Sequence, residues 1–100
     1  MNVLPIKPHE IANEIPDFVI NGANECIKNH YSELTKTSHF TVNELIYYIF
    51  QYAPKDLQRQ ELFDKGWLDI EPLYRRAGWK VEYDKPAYYE DYQPNFTFSF

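Results

Sequence analysis

The sequence predicts an α+β domain in which three to four short helices precede a C-terminal antiparallel β-hairpin. Apolar residues recur at helical spacing over residues 17–77, whereas beyond Gly78 they alternate one by one with polar residues. A chain of 100 residues that is 44% hydrophobic can bury one core but not two. We therefore expect an extended, proline-containing arm over residues 1–16 and a single domain over residues 17–100.

The first helix is predicted from Asp17 to about Asn29, with polar residues between its apolar positions. The apolar residues at helical spacing are Val19, Ala23, Cys26, Ile27 and Tyr31. Gly22 lies among them and weakens the helix without ending it.

The second helix has a stronger start signal. Thr41 and Glu44 match a capping box, in which each side chain satisfies the other residue's backbone N–H. An apolar run follows and continues to Pro54, which stops the helix or starts another. Residues 38–42 also allow a short strand immediately before the cap.

Two shorter helices are predicted next. One spans Asp56 to Lys65 and ends at Gly66, and the other runs from a capping Asp69 to Ala77 and ends at Gly78. The buried stripe of the latter helix is predicted to comprise Ile70, Leu73, Tyr74 and Ala77.

In the last segment, apolar and polar residues alternate, as in the strands of a half-buried hairpin. Its alternating apolar residues are Trp79, Val81 and Tyr83 on one strand and Phe96, Phe98 and Phe100 on the other. Residues 84–94 form the loop between them. We expect the C-terminus to be structural and intolerant of trimming, and edge pairing through the terminal strand would convert a monomer into a homodimer. The residues assigned to the core are Ile49, Trp67, Leu73, Trp79, Val81 and Phe98.

Composition weighs against several classes of protein. No apolar run approaches the roughly twenty residues of a membrane span, and nothing near Met1 resembles a signal peptide, so we expect no membrane partner. One cysteine, Cys26, excludes an internal disulfide and fits a reducing cytosol. Cys26 and His30 would share a helix face, with His9 and His39 as further ligands. The paired ligands typical of structural zinc are missing, however, and we predict no metal site.

Enzyme signals are also weak. The chain has three glycines and no glycine-rich phosphate loop, and no pattern sets two carboxylates across a cleft. We predict no catalysis and no cofactor. A small nuclease that depends on a divalent metal is the alternative.

The hairpin loop is the candidate binding site. It contains Tyr88, Tyr89 and Tyr92 together with Glu90 and Asp91. Tyrosines surrounded by charge suit protein recognition, and negative charge favours a basic partner. In the alternative, these tyrosines pack down on the helices and serve the core.

Two segments resemble a known group of proteins. FDKGWLDIEPLYRRAGWKVEYDKP at residues 63–86 and IPDFVI at residues 15–20 are similar to small uncharacterised proteins encoded by tailed bacteriophages, whereas residues 29–58 match poorly. The resemblance implies a viral protein working in the host cytoplasm, and it supplies an origin but no functional residues. We separately expect the partner to be a host or phage protein. The order of elements also resembles a winged helix, with helix 69–77 in the place of a recognition helix.

That likeness makes nucleic-acid binding the alternative function. The cations available on the helix and hairpin are Arg75, Arg76, Lys80 and Lys85. Several acidic residues lie among them, and Glu71 is spaced for an i, i+4 ion pair with Arg75. We expect that ion pair to occupy Arg75, so protein binding is the preferred prediction.

Overall fold

The computed structural model describes residues 15–100 and places four helices against one four-stranded antiparallel sheet. Its elements are α1 (Asp17–His30), β1 (Tyr31–Ser32), β2 (Thr37–Thr41), α2 (Val42–Phe50), α3 (Arg59–Asp64), α4 (Glu71–Arg76), β3 (Lys80–Asp84) and β4 (Asn95–Ser99). The α+β class and the C-terminal hairpin are confirmed, and the order of elements is compatible with a winged-helix-like arrangement. The predicted arm over residues 1–16 lies outside the described residues except for Ile15 and Pro16.

The long helix α1 packs its apolar face against α2. Its buried residues are Val19, Gly22, Ala23, Cys26 and Ile27. A Cβ atom added to Gly22 would lie 2.6 Å from the backbone nitrogen of Ile49 in α2. The two helix backbones therefore touch at this crossing, and only a residue without a side chain fits there.

The start of α2 follows its sequence signal. The Thr41 amide donates to Glu44 Oε1 at 2.9 Å, and the Glu44 amide donates to Thr41 Oγ1 at 3.1 Å. The capping box is confirmed. The short strand that the sequence allowed before it also forms: β2 ends at Thr41, the capping residue itself. The helix ends at Phe50, before Pro54 is reached.

The strand order across the sheet is β1-β2-β4-β3. Strand β4 pairs with β2 on one side and with β3 on the other, so both of its edges are occupied. Dimerisation by edge pairing through this terminal strand is therefore wrong, since β3 is the outer strand. The inward face of the sheet presents Phe40, Phe96 and Phe98, all buried, to the helices.

The two short helices are shorter than predicted. The first spans six residues, and Gly66 ends it in the left-handed region at φ 67°, as expected. The second begins after Ile70 without a side-chain cap, so the predicted Asp69 cap is wrong. The Asp69 amide instead donates to the Gly66 carbonyl, which places this residue in the preceding turn. Gly78, at φ 106°, follows the end of the second helix as predicted.

The hydrophobic core lies between the sheet and the α1–α2 pair. Ile49, Val81 and Phe98 are buried as predicted. The other predicted core residues, Trp67, Leu73 and Trp79, pack against this core and are only partly buried. Ala77 is exposed rather than buried, because α4 ends one residue before it.

Candidate functional site

The loop between β3 and β4 is fixed at its C-terminal end. The Val42 amide donates to the Pro94 carbonyl at 2.9 Å, and Asn43 Nδ2 donates to Gln93 Oε1 at 2.6 Å. Arg59 Nη2 in turn donates to Asn43 Oδ1 at 2.7 Å. Side chains of α2 and α3 therefore hold the point where the loop joins β4.

The loop tip is a turn that satisfies its own hydrogen bonds. The Glu90 amide donates to the Ala87 carbonyl at 2.9 Å, and the Ala87 amide donates to Glu90 Oε1 at 3.1 Å. Tyr88 and Tyr89 occupy the middle of this turn with their rings edge to face, 5.6 Å apart. Tyr88 is fully exposed and Tyr89 is 77% exposed, so packing of these two rings on the helices is excluded.

The remaining loop residues stay at the surface. The Tyr92 hydroxyl donates to Asp84 Oδ1 at 2.9 Å, and this hydrogen bond, followed by burial, raises the pKa of Tyr92. Glu90 and Asp91 are exposed beside it. Sequence reasoning thus located an aromatic and acidic loop, but it had no signal for the Asp84 contact or the turn closed by Glu90.

The cations proposed for nucleic-acid binding are all exposed, but two of them have protein acceptors. Arg75 Nη2 donates to the Val81 carbonyl of the outer strand at 2.8 Å, and Arg76 Nε donates to Pro72 O at 3.4 Å. Among residues 15–100, Arg75 and Glu71 form no salt bridge, so the predicted i, i+4 ion pair is wrong. The guanidinium instead binds the Val81 carbonyl of the outer strand.

The Cys26 thiol is buried and poorly suited to chemistry. Burial, with a smaller contribution from the Glu44 charge, raises the pKa of Cys26 to about 12. Its Sγ lies 3.8 Å from His30 Nδ1, and His30 Nε2 lies 2.8 Å from Glu44 Oε2. His30 thereby joins α1 to α2. Within the described part of the chain, no cluster of three or more metal-ligating side chains occurs, and His9 lies outside it.

A pocket of about 200 Å³ opens between the hairpin, α2 and the two short helices. Its lining consists of Val42, Phe63, Leu68, Asp69, Glu71, Tyr83 and Phe96, and we call it the foot pocket because it lies at the foot of the hairpin loop. Sequence reasoning missed this pocket since its walls come from five separate segments. The one local signal is Phe63, an aromatic residue on the exposed side of α3.

The chain was compared with protein-family models, curated proteins and solved structures, and none of them matches it. The similarity to phage proteins therefore stays a prediction. Over residues 15–100, no helix is long and apolar enough to cross a membrane.

Proposed function

We propose that this chain is a non-catalytic protein-binding module that engages a host or phage protein through its hairpin loop. The observation that carries the proposal is the exposed pair Tyr88 and Tyr89 on a turn that Ala87 and Glu90 close. Large aromatic rings left in water gain most from burial against a partner. Since the turn is already held in one conformation, little conformational entropy is lost on binding.

The charge around the tyrosines defines the partner. Glu90 and Asp91 follow the two tyrosines in the loop, Asp84 precedes them at its start, and the whole chain carries a net charge of −5. A basic protein surface is the complement of this loop, and electrostatic attraction would accelerate the encounter. The predicted resemblance to phage proteins adds a host or phage protein in the host cytoplasm as the expected partner.

Paired capture experiments test the proposal. The parent chain and the variant Tyr88→Ser/Tyr89→Ser, tagged at the N-terminus, are incubated with nuclease-treated bacterial lysate. Tyr47→Ser is the matched control, because this tyrosine is also exposed but lies on α2. We expect the loop variant to lose a partner that the parent and the control retain, with all three melting at the same temperature. Equal capture by the loop variant would contradict the proposal.

Nucleic-acid binding is the second candidate, favoured by the winged-helix-like order of elements. It would use Arg76, Lys80 and Lys85, with Arg75 partly engaged by the Val81 carbonyl. The test is duplex binding of Arg76→Ala/Lys85→Ala against the parent across a salt series. Loss of two phosphate contacts should reduce the slope of log K against log salt by about 2. An unchanged affinity and slope would eliminate this candidate.

A further inference from the structure

The foot pocket combines aromatic walls with an apolar floor. Val42 and Phe96 are buried at its base, whereas the rings of Phe63 and Tyr83 are 46% and 41% exposed. Its volume of about 200 Å³ suits a single long side chain rather than a drug-sized molecule. Exposed aromatic rings at the walls of a concave site offer their faces to a planar or cationic group.

Two carboxylates at the rim, Asp69 and Glu71, have no cationic partner at salt-bridge distance among residues 15–100. Burial and then the neighbouring Asp69 charge raise the pKa of Glu71, and Arg75 opposes this shift only in part. The rim therefore holds two neighbouring acidic groups, and the charged form of Glu71 is the one disfavoured. A cation brought between them would relieve that repulsion.

We infer that the foot pocket binds an arginine side chain of the protein partner. The inference rests on the proposed protein-binding function and deepens it by naming the partner's chemistry. A guanidinium is planar, stacks on aromatic faces and donates two parallel hydrogen bonds to carboxylates. Tyr83 and Phe63 line the pocket, and the chain's own Arg59 guanidinium already lies over the Phe63 ring at 5.7 Å from its centroid, so a second guanidinium has Tyr83 and the pocket side of Phe63 to stack on. Asp69 and Glu71 supply the acceptors.

The pocket lies close to both ends of the hairpin loop. Tyr83 precedes Asp84, which binds the Tyr92 hydroxyl, and the Val42 amide binds Pro94 at the other end of the loop. The six Cα–Cα steps from Tyr83 to Tyr89 span at most about 20 Å. One extended segment of a basic partner can therefore contact the tip tyrosines and place an arginine in the pocket.

The test needs no identified partner. The full chain, labelled with ¹⁵N, is titrated with N-acetyl-arginine amide at low salt while its amide resonances are followed by NMR. N-acetyl-citrulline amide, which has nearly the same shape and no charge, is the control ligand. We expect the arginine probe, and not citrulline, to shift the amides of Phe63, Leu68, Asp69, Glu71 and Tyr83.

Isosteric variants then assign the contact. Glu71→Gln should weaken the arginine probe about threefold, as loss of one solvent-screened charge contact does. Glu82→Gln, on the opposite face of β3, should bind like the parent. The inference is overturned by equal shifts from citrulline, by equal or stronger binding of N-acetyl-lysine amide, or by no shift at these amides. The loop-variant capture experiment is independent, so failure here with success there removes the pocket's role and leaves the proposed function standing.

Discussion

Substitution of Gly22 by alanine should destabilise the protein, although alanine is the better helix former. The added Cβ would lie 2.6 Å from the Ile49 nitrogen, well inside van der Waals contact, and the obstructing atoms belong to a helix backbone. Forcing α1 and α2 apart costs about 3 kcal/mol. The gain in helix propensity returns about 1 kcal/mol. The net loss of about 2 kcal/mol corresponds to a fall in Tm of about 10 °C for a domain of this size.

Thermal and urea unfolding followed by circular dichroism measure this loss directly. The matched control is Asn21→Ala, one residue earlier on the exposed side of α1. It receives the propensity gain without the clash, so it should be more stable than the parent by about 0.5 kcal/mol. If Gly22→Ala melts at or above the parent's temperature, the helices do not cross in backbone contact and the reasoning is refuted.

Three further changes test other parts of the structure. The hydrogen bond from the Thr41 amide is the largest cause that lowers the pKa of Glu44 below its ordinary value of 4.5. The ionised Glu44 therefore contributes its full stabilisation of the folded state above pH 4.5. This contribution is lost as the pH falls through the lower pKa of the folded state. The urea midpoint of Glu44→Gln should therefore drop less steeply than the parent's on acidification, and parallel curves would contradict this. Cys26, whose pKa burial raises to about 12, should be labelled by a thiol reagent only as fast as the chain unfolds, and immediate labelling of folded protein would contradict its burial. Deleting Phe100, an exposed residue, should lower Tm little. Deleting residues 97–100 removes the buried Phe98 and should abolish the cooperative unfolding transition. A folded product of this second deletion would disprove the structural role of β4.

Local signals predicted the fold where neighbours in sequence decide the conformation. The capping box at Thr41 and Glu44 needs only one turn of chain, and Gly66 needs only its own backbone freedom, so both were predictable. The position of β4 between β2 and β3 depends on a strand far away along the chain, and alternation alone cannot reveal it. The false Asp69 cap also lay beyond local signals: Ile70 is buried in the core, and the helix begins only after it.

The candidate site, too, was predictable in some features and not in others. The loop tip could be predicted as a candidate binding site from composition alone, because tyrosines and acidic residues cluster in this one loop. Whether Tyr88 and Tyr89 face solvent depends on the hydrogen bonds of Glu90 with Ala87, which no composition rule supplies. The ion pair expected for Arg75 failed because the Val81 carbonyl on the outer strand competes for the same guanidinium.

The central position of β4 also governs how the chain reaches its native state. Closing the loop between Thr41 and Asn95, about fifty residues apart, costs about 3.5 kcal/mol of chain entropy, against about 2 kcal/mol for the hairpin loop of about ten residues. The difference slows the longer closure about tenfold. We therefore expect the hairpin and the α1–α2 pair to form early in folding, and their docking along β2 and β4 to come last. Until it occurs, both β2 and the hairpin have an unpaired edge, so the half-assembled chain is the species most exposed to aggregation.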